Sequence, residues 1–222
     1  VCVCLLVISI IAILSAALHS YIITFYMPKR KEDKLYKLPE GEQYEKERSN
    51  IKKWVEELLA LPCEEVWIES HDGLKLYGRY YHVADGAPVQ IMFHGYRGSA
   101  ERDLSGGIQR CFALGRNVLL VDQRTSCGSE GNVISFGINE HRDCLAWIDF
   151  AVNHFGSDVK LVLTGISMGA ATVLMAGGEE RPPNGVGILA DCGFDSPKNI
   201  MKKVIREDMH LPPNLSYPFV RL

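Results

Sequence analysis

From residue 64 onward, short apolar runs alternate with longer segments of helical periodicity. This alternation constrains the fold more tightly than any other feature of the 222-residue chain. Runs at 89–93, 117–121, 159–164 and 186–190 are five or six residues long and carry Val, Ile and Leu on both faces. Helical patterns occupy 104–114, 138–155, 168–177 and 197–206, although Gly106-Gly107 weakens the first of them. Strands apolar on both faces and separated by helices predict a mostly parallel sheet covered on both sides. Two earlier runs, 65–70 and 74–82, flank His71-Asp72-Gly73, which predicts an antiparallel hairpin with an Asp-Gly turn. Hydrophobic residues make up 47% and charged residues 23%, a balance that excludes disorder, collagen and coiled coil.

The front of the chain is different. Residues 1–28 contain no Asp, Glu, Lys or Arg, and 1–27 are almost wholly apolar. Crossing ~30 Å of hydrocarbon takes ~20 helical residues, so this run is read as a single transmembrane anchor in a lipid bilayer. Tyr21, Phe25 and Tyr26 gather at its far end, as interfacial aromatics do. A secretory signal has a shorter apolar region and a small-residue cleavage site, and here the run continues past Ala16-Ala17. Thirteen charged residues of both signs fill 28–49, read as a solvated tether, and the globular domain is placed at 50–222. Lys29, Arg30, Lys31, Lys34 and Lys37 favour a cytoplasmic location for that flank, while basic residues ahead of Val1 would reverse the argument. Ile51, Trp54, Val55, Leu58 and Leu59 recur at helical spacing, a face that packs on the domain or lies on the membrane.

Net charge is −3, with no basic footprint for nucleic acid. Seven cysteines include no C-x-x-C pair, so no disulfide framework, zinc site or other metal or cofactor is expected.

The most informative stretch is Gly165-Ile166-Ser167-Met168-Gly169, with an apolar strand leading in and an Ala-rich helix leading out. G-x-S-x-G alone is common, but this context is that of a nucleophile elbow. A serine on a tight strand-to-helix turn projects above the sheet edge, and small neighbours keep side chains from colliding. Met168 opens a helix, so its N–H is a free donor at the positive end of the dipole. A second donor is expected in the loop after the third strand, where His94-Gly95 precedes Tyr96. His94 lies before Ser167 in the chain and is assigned to organising that loop rather than to acting as base. Asp122 and Arg124, just past a buried strand, are read as partners that shape the loop beside the pocket.

Together these residues resemble the α/β-hydrolase superfamily, and most of all its membrane-anchored bacterial serine hydrolases of esterase or lysophospholipase type. The carrying motifs are HGYRGS at 94–99, DQRTSCGSEG at 122–131, FGINEHRDCLAWIDF at 136–150, GISMGAATVLMA at 165–176 and ILADCGFDSP at 188–197. The resemblance covers about residues 60–210. It implies Ser167 as nucleophile, the Tyr96 and Met168 N–H groups as oxyanion hole, and an acyl-enzyme formed from a small acyl ester.

In this fold the acid and then the histidine follow the serine. Only 55 residues follow Ser167, and they show one strand, one helix and a Pro-rich stretch. Asp191 and Asp195 are candidate acids and His210 a candidate base. The two later strands that normally present these groups are not visible. The chain is therefore expected to be a C-terminally incomplete fragment, nearly inactive by itself, since losing triad members costs ~10⁴–10⁶ in rate. A catalytically dead scaffold, and an aminopeptidase or thioesterase on the same fold, are the alternative readings.

Overall fold

The computed structural model of the chain describes residues 2–28, 42–179, 185–207, 210 and 212–221. Its centre is a six-stranded sheet. In chain order the strands are β1 (Glu64–Glu69), β2 (Lys75–Tyr81), β3 (Val89–Phe93), β4 (Asn117–Val121), β5 (Leu161–Ile166) and β6 (Gly185–Asp191). In space the order is β1-β2-β4-β3-β5-β6. The β1–β2 and β2–β4 pairs are antiparallel and the remainder parallel. The hairpin turns where the Asp-Gly signal lies, with Gly73 at φ 83°.

Alternation along the central strands explains why both faces are apolar. Ile91, Phe93, Leu119, Val121 and Leu163 pack on one side with Trp147, Ile148 and Val173. Met92, Val118 and Leu120 pack on the other with Leu58, Leu104 and Ile108. Each side needs a helical layer to exclude water. The first layer is α5 (Glu140–Phe155) and α6 (Met168–Gly178); the second is α3 (Arg48–Leu59) and α4 (Ala100–Ala113). The α3 face is thus packed on the domain, with Val55 and Leu58 buried. Gly106 and Gly107 serve that packing: a Cβ at Gly106 would press on the Trp54 ring, and one at Gly107 on the Met92 methyl.

The other helices are α1 (Cys2–Thr24), α2 (Glu42–Glu45), α7 (Pro197–Glu207) and α8 (Pro213–Arg221). The segment 28–49, read as a tether, lies mostly outside the described residues; α2 and the start of α3 occupy its end. The Pro-rich stretch is helical over α8. Pro213 sits at the first helical position, where its missing N–H costs nothing.

Within α1, Val3–Thr24 is long and apolar enough to cross a bilayer, with a mean hydropathy of 2.4, and Thr24 at its end is buried against the domain. Its C-terminal end turns onto the domain. Met27 N–H donates to the Asn132 carbonyl at 2.8 Å and Ile134 N–H to the Phe25 carbonyl at 2.9 Å. Met27 is buried beside Ile134 and Met168.

Candidate functional site

The parallel strands end together at Phe93, Val121 and Ile166, and the loops after them build one constellation. Ser167 links β5 to α6 at φ 54° and ψ −113°, a region that non-glycine residues occupy only under constraint. Two constraints are visible. Its N–H donates to the Asp191 carbonyl at the end of β6, at 2.8 Å. The flanking glycines allow backbone to touch backbone: a Cβ on Gly165 would fall on the Gly169 carbonyl, and one on Gly169 on the Phe93 and His94 carbonyls. The G-x-S-x-G spacing is therefore a packing requirement of this turn.

That requirement is testable. Gly169→Ala is expected to cost ~1–3 kcal/mol or more in chemical denaturation, because the opposing atoms are backbone and cannot rotate away. Gly178, at the other end of α6, has open space around its Cα. Gly178→Ala is expected to be neutral or to gain up to ~1 kcal/mol. Equal effects at the two positions would remove the packing argument.

The Ser167 side chain makes no capping hydrogen bond to the helix it precedes, and its hydroxyl has no hydrogen-bond partner among the described residues. The loop after β3 lies directly against it: a Cβ on Gly95 would sit 3.5 Å from the Ser167 Cβ. Within that loop the N–H groups are partly used. Gly95 N–H donates to Asp103 Oδ2 at 3.1 Å, and Gly98 N–H donates to the Gly95 carbonyl at 3.1 Å. No described residue accepts from the N–H of Tyr96 or of Met168.

His94 is buried and engaged at both nitrogens. Its Nε2 accepts from the Gln123 N–H at 3.1 Å, which leaves the proton on Nδ1 to be donated to the Gly95 carbonyl at 2.8 Å. Burial pushes its pKa down, so it stays neutral. With both nitrogens committed it has no lone pair for Ser167. Gln123 carries no signal in the sequence, yet it joins the parts. Its side-chain amide donates to the His94 carbonyl at 2.5 Å, and its oxygen accepts from Thr172 on α6 at 3.2 Å.

Asp122 and Arg124 are not partners. Both lie past the end of β4 at Val121, where the chain has left the strand and its alternation no longer sets side-chain direction. Arg124 turns to α5 and the hairpin, with paired bonds of 2.7 Å to both oxygens of Asp143 and contacts of 3.0 and 3.1 Å to Asp72. Asp122 turns inward to Glu101, Arg79 and Cys127, with one oxygen accepting from Gly128 N–H at 3.0 Å. The other Asp122 oxygen and Glu101 Oε2 are buried without partners. Groups that offer several ligand atoms together are Glu101–Asp122–Cys127 and His71–Asp72–Asp143. Each already holds an arginine, Arg79 on Glu101 and Arg124 on both aspartates, which supplies the neutralising cation.

Burial, reinforced by the Glu101 charge, pushes the Asp122 carboxyl up to about 7. A raised carboxyl stabilises the fold fully below the unfolded value near ~4, and that contribution is lost as pH rises through 7. Asp122→Asn stays neutral, can still accept from Gly128, and offers an NH₂ to Glu101. Its melting temperature relative to wild type is therefore expected to improve between pH 5 and pH 8. A difference independent of pH would contradict the raised value.

The remaining candidates are dispersed. Asp195 accepts from the Asn199 side chain at 2.5 Å and so engages the first turn of α7. The Asp191 side chain is exposed and borders a cavity of about 320 Å³ shared with Thr164, Arg110 and Arg116. His210 is exposed, with φ 55°. A cavity of about 700 Å³ lies at the opposite end of the sheet around Val89, Asn117 and Val159. Open α/β sheets bind at the carboxyl ends of their strands, and we place the site at Ser167 for that reason.

No family model matches the chain. Among solved structures, the esterase Pf2001 of Pyrococcus furiosus superposes with a TM-score of 0.61 at 24% identity, covering 74% of this chain and 63% of that one. The chain has the α/β-hydrolase fold. The α/β hydrolase GrgF from Penicillium sp. sh18 gives a TM-score of 0.52 at 22% identity, over 68% of this chain and 53% of that one. DcsB, solved with a substrate analogue, gives 0.51 at 20% identity, over 67% and 53%. The chain thus spans less than two thirds of the length of each of these proteins.

Proposed function

We propose that the chain carries the nucleophile half of a membrane-tethered serine hydrolase that cleaves carboxylic esters through an acyl-enzyme on Ser167. The observation that carries this reading is Ser167 itself: a constrained residue at the carboxyl end of the sheet whose hydroxyl no described residue engages, with the loop that carries Tyr96 packed against it and the N–H groups of Tyr96 and Met168 without described acceptors. The Ser167 oxygen attacks the ester carbonyl carbon. The negative charge that develops on the carbonyl oxygen is received by the N–H groups of Tyr96 and Met168. A preorganised donor of this kind is worth ~2.7–4 kcal/mol of barrier. The alcohol departs with a proton, and water releases the acyl group. Asp191, Asp195 and His210 are the acid and base candidates within the chain, and none of the described hydrogen bonds joins them to the Ser167 hydroxyl. The esterase Pf2001 supports ester chemistry by its likeness of fold. The length and apolarity of α1 support the tether.

Incubation of the membrane-reconstituted protein with a fluorophosphonate, followed by mapping of the adduct by mass spectrometry, tests the reading. The expected adduct is on Ser167. No adduct, or one on another residue, favours the inactive scaffold, which is motivated by the acid and base candidates, none of which a described hydrogen bond joins to the Ser167 hydroxyl.

A further inference from the structure

The end of α1 is built into the same constellation. The Tyr96 hydroxyl donates to the Thr24 carbonyl at 2.8 Å. The Arg97 guanidinium donates to the Ile23 carbonyl at 2.5 Å and to that of Tyr26 at 3.2 Å. The Ile23 and Thr24 carbonyls belong to the last turn of α1, where carbonyls lack internal partners and carry partial negative charge, and Tyr26 lies just past it. Arg97 is held at φ 51° in doing so. One loop therefore packs against Ser167 at Gly95 while its Tyr96 and Arg97 side chains cap the apolar helix.

Beside this junction runs a crevice of about 30 Å³ between Ile23 and Thr24 of α1, Tyr96 and Phe136, and Met201 and Val204 of α7. The Phe25, Tyr96 and Phe136 rings line up along it, with centroids 5.9 and 5.1 Å apart. Helix α7 is amphipathic. Met201, Val204 and Ile205 face inward, while Lys198, Lys203 and Arg206 are exposed. A basic amphipathic helix beside the end of an apolar span suits the surface of a bilayer. The 22 residues of the span reach ~33 Å at ~1.5 Å each, so its end and the crevice lie at one membrane interface.

We propose that α1 forms one wall of the acyl-binding site, and that the seam between its last turn and α7 admits the long acyl chain of an ester lipid directly from the bilayer. The proposal rests on Ser167 as nucleophile and adds the substrate class and its route. The seam is closed to about 30 Å³, room for about one water, so an entering chain parts α7 from α1. The lysines and arginine of α7 remain at the headgroup level while its apolar face turns to the chain.

The test compares two fluorophosphonates, one ethyl and one hexadecyl, on the protein reconstituted in phosphatidylcholine vesicles. The readout is the ratio of their rates of adduct formation at Ser167. Ile23→Trp and Val204→Trp fill the seam from opposite walls and are expected to lower the hexadecyl-to-ethyl ratio at least tenfold. Leu6→Trp, on the exposed part of α1, is expected to leave it unchanged. Should a tryptophan unfold the chain, Val204→Ala carries the test in the opposite sense, since a wider seam raises the ratio. Ratios within twofold of wild type in the folded variants overturn the proposal. Wild type with no Ser167 adduct from either probe is a different result, and it removes the nucleophile reading together with what rests on it.

Discussion

In a form of the protein that carries the triad acid and base, Ser167→Ala is expected to lower the rate of ester hydrolysis by ~10⁴–10⁶ while leaving the folded state as stable as wild type. The two halves of that expectation come from separate observations. The hydroxyl has no hydrogen-bond partner among the described residues, so its removal strands no buried group. Alanine has the same Cβ as serine and meets the same backbone strain at φ 54°. Ser167→Gly removes that Cβ and is expected to gain ~1 kcal/mol or more in stability with the same loss of rate. Residual hydrolysis within tenfold of wild type in either variant would mean that some other group attacks the ester. Turnover of p-nitrophenyl butyrate and a thermal melt on the same samples settle both halves.

The parallel sheet and the serine turn were legible in the sequence because both rest on short-range rules. Val89–Phe93 and Asn117–Val121 are apolar at every or nearly every position, and only strands covered on two sides tolerate that. Gly165 and Gly169 stand at a fixed spacing because the turn brings their own neighbours into backbone contact. The partner of Arg124 was not legible. Asp122 is two residues away, whereas the true partners, Asp143 and Asp72, are 19 and 52 residues away. No periodicity encodes a meeting of that kind, although an aspartate at 143 on the apolar face of α5, beside Cys144 and Trp147, is a signal that a cation must cover it. The docking of α1 was hidden for a different reason. A helix apolar on every face shows length but no direction. The capping groups, Tyr96 and Arg97, lie more than seventy residues further on.

Arg124→Ala should destabilise the fold severely, by ~3–5 kcal/mol, because it leaves Asp143 buried without its cation. For a chain of this size that corresponds to a melting temperature lower by ~6–20 °C. The deficit should depend on pH in a specific sense. In wild type, hydrogen bonds from Arg124 hold the Asp72 carboxyl well below the usual carboxylate range. That contribution is present above the unfolded value near ~4 and is lost as pH falls through the depressed one. Burial already pushes the Asp143 carboxyl upward against the pull of Arg124. With the guanidinium gone only His71, 3.8 Å from Asp143, is left to oppose the burial, so the variant recovers stability as acid protonates Asp143. The two stability curves therefore approach each other from pH 7 down to pH 4; curves that stay parallel would show that Asp143 is solvated rather than stranded. Arg124→Lys is expected to recover only part of the loss, since an ammonium cannot make the paired contact to Asp143 while holding Asp72. The same substitution reaches the reacting centre at one remove. Arg124 pins the loop that carries Gln123, and Gln123 holds His94 and with it the Tyr96 N–H. Variants that still fold should accordingly lose kcat before KM, because a displaced donor is missed most by the charge that develops in the transition state.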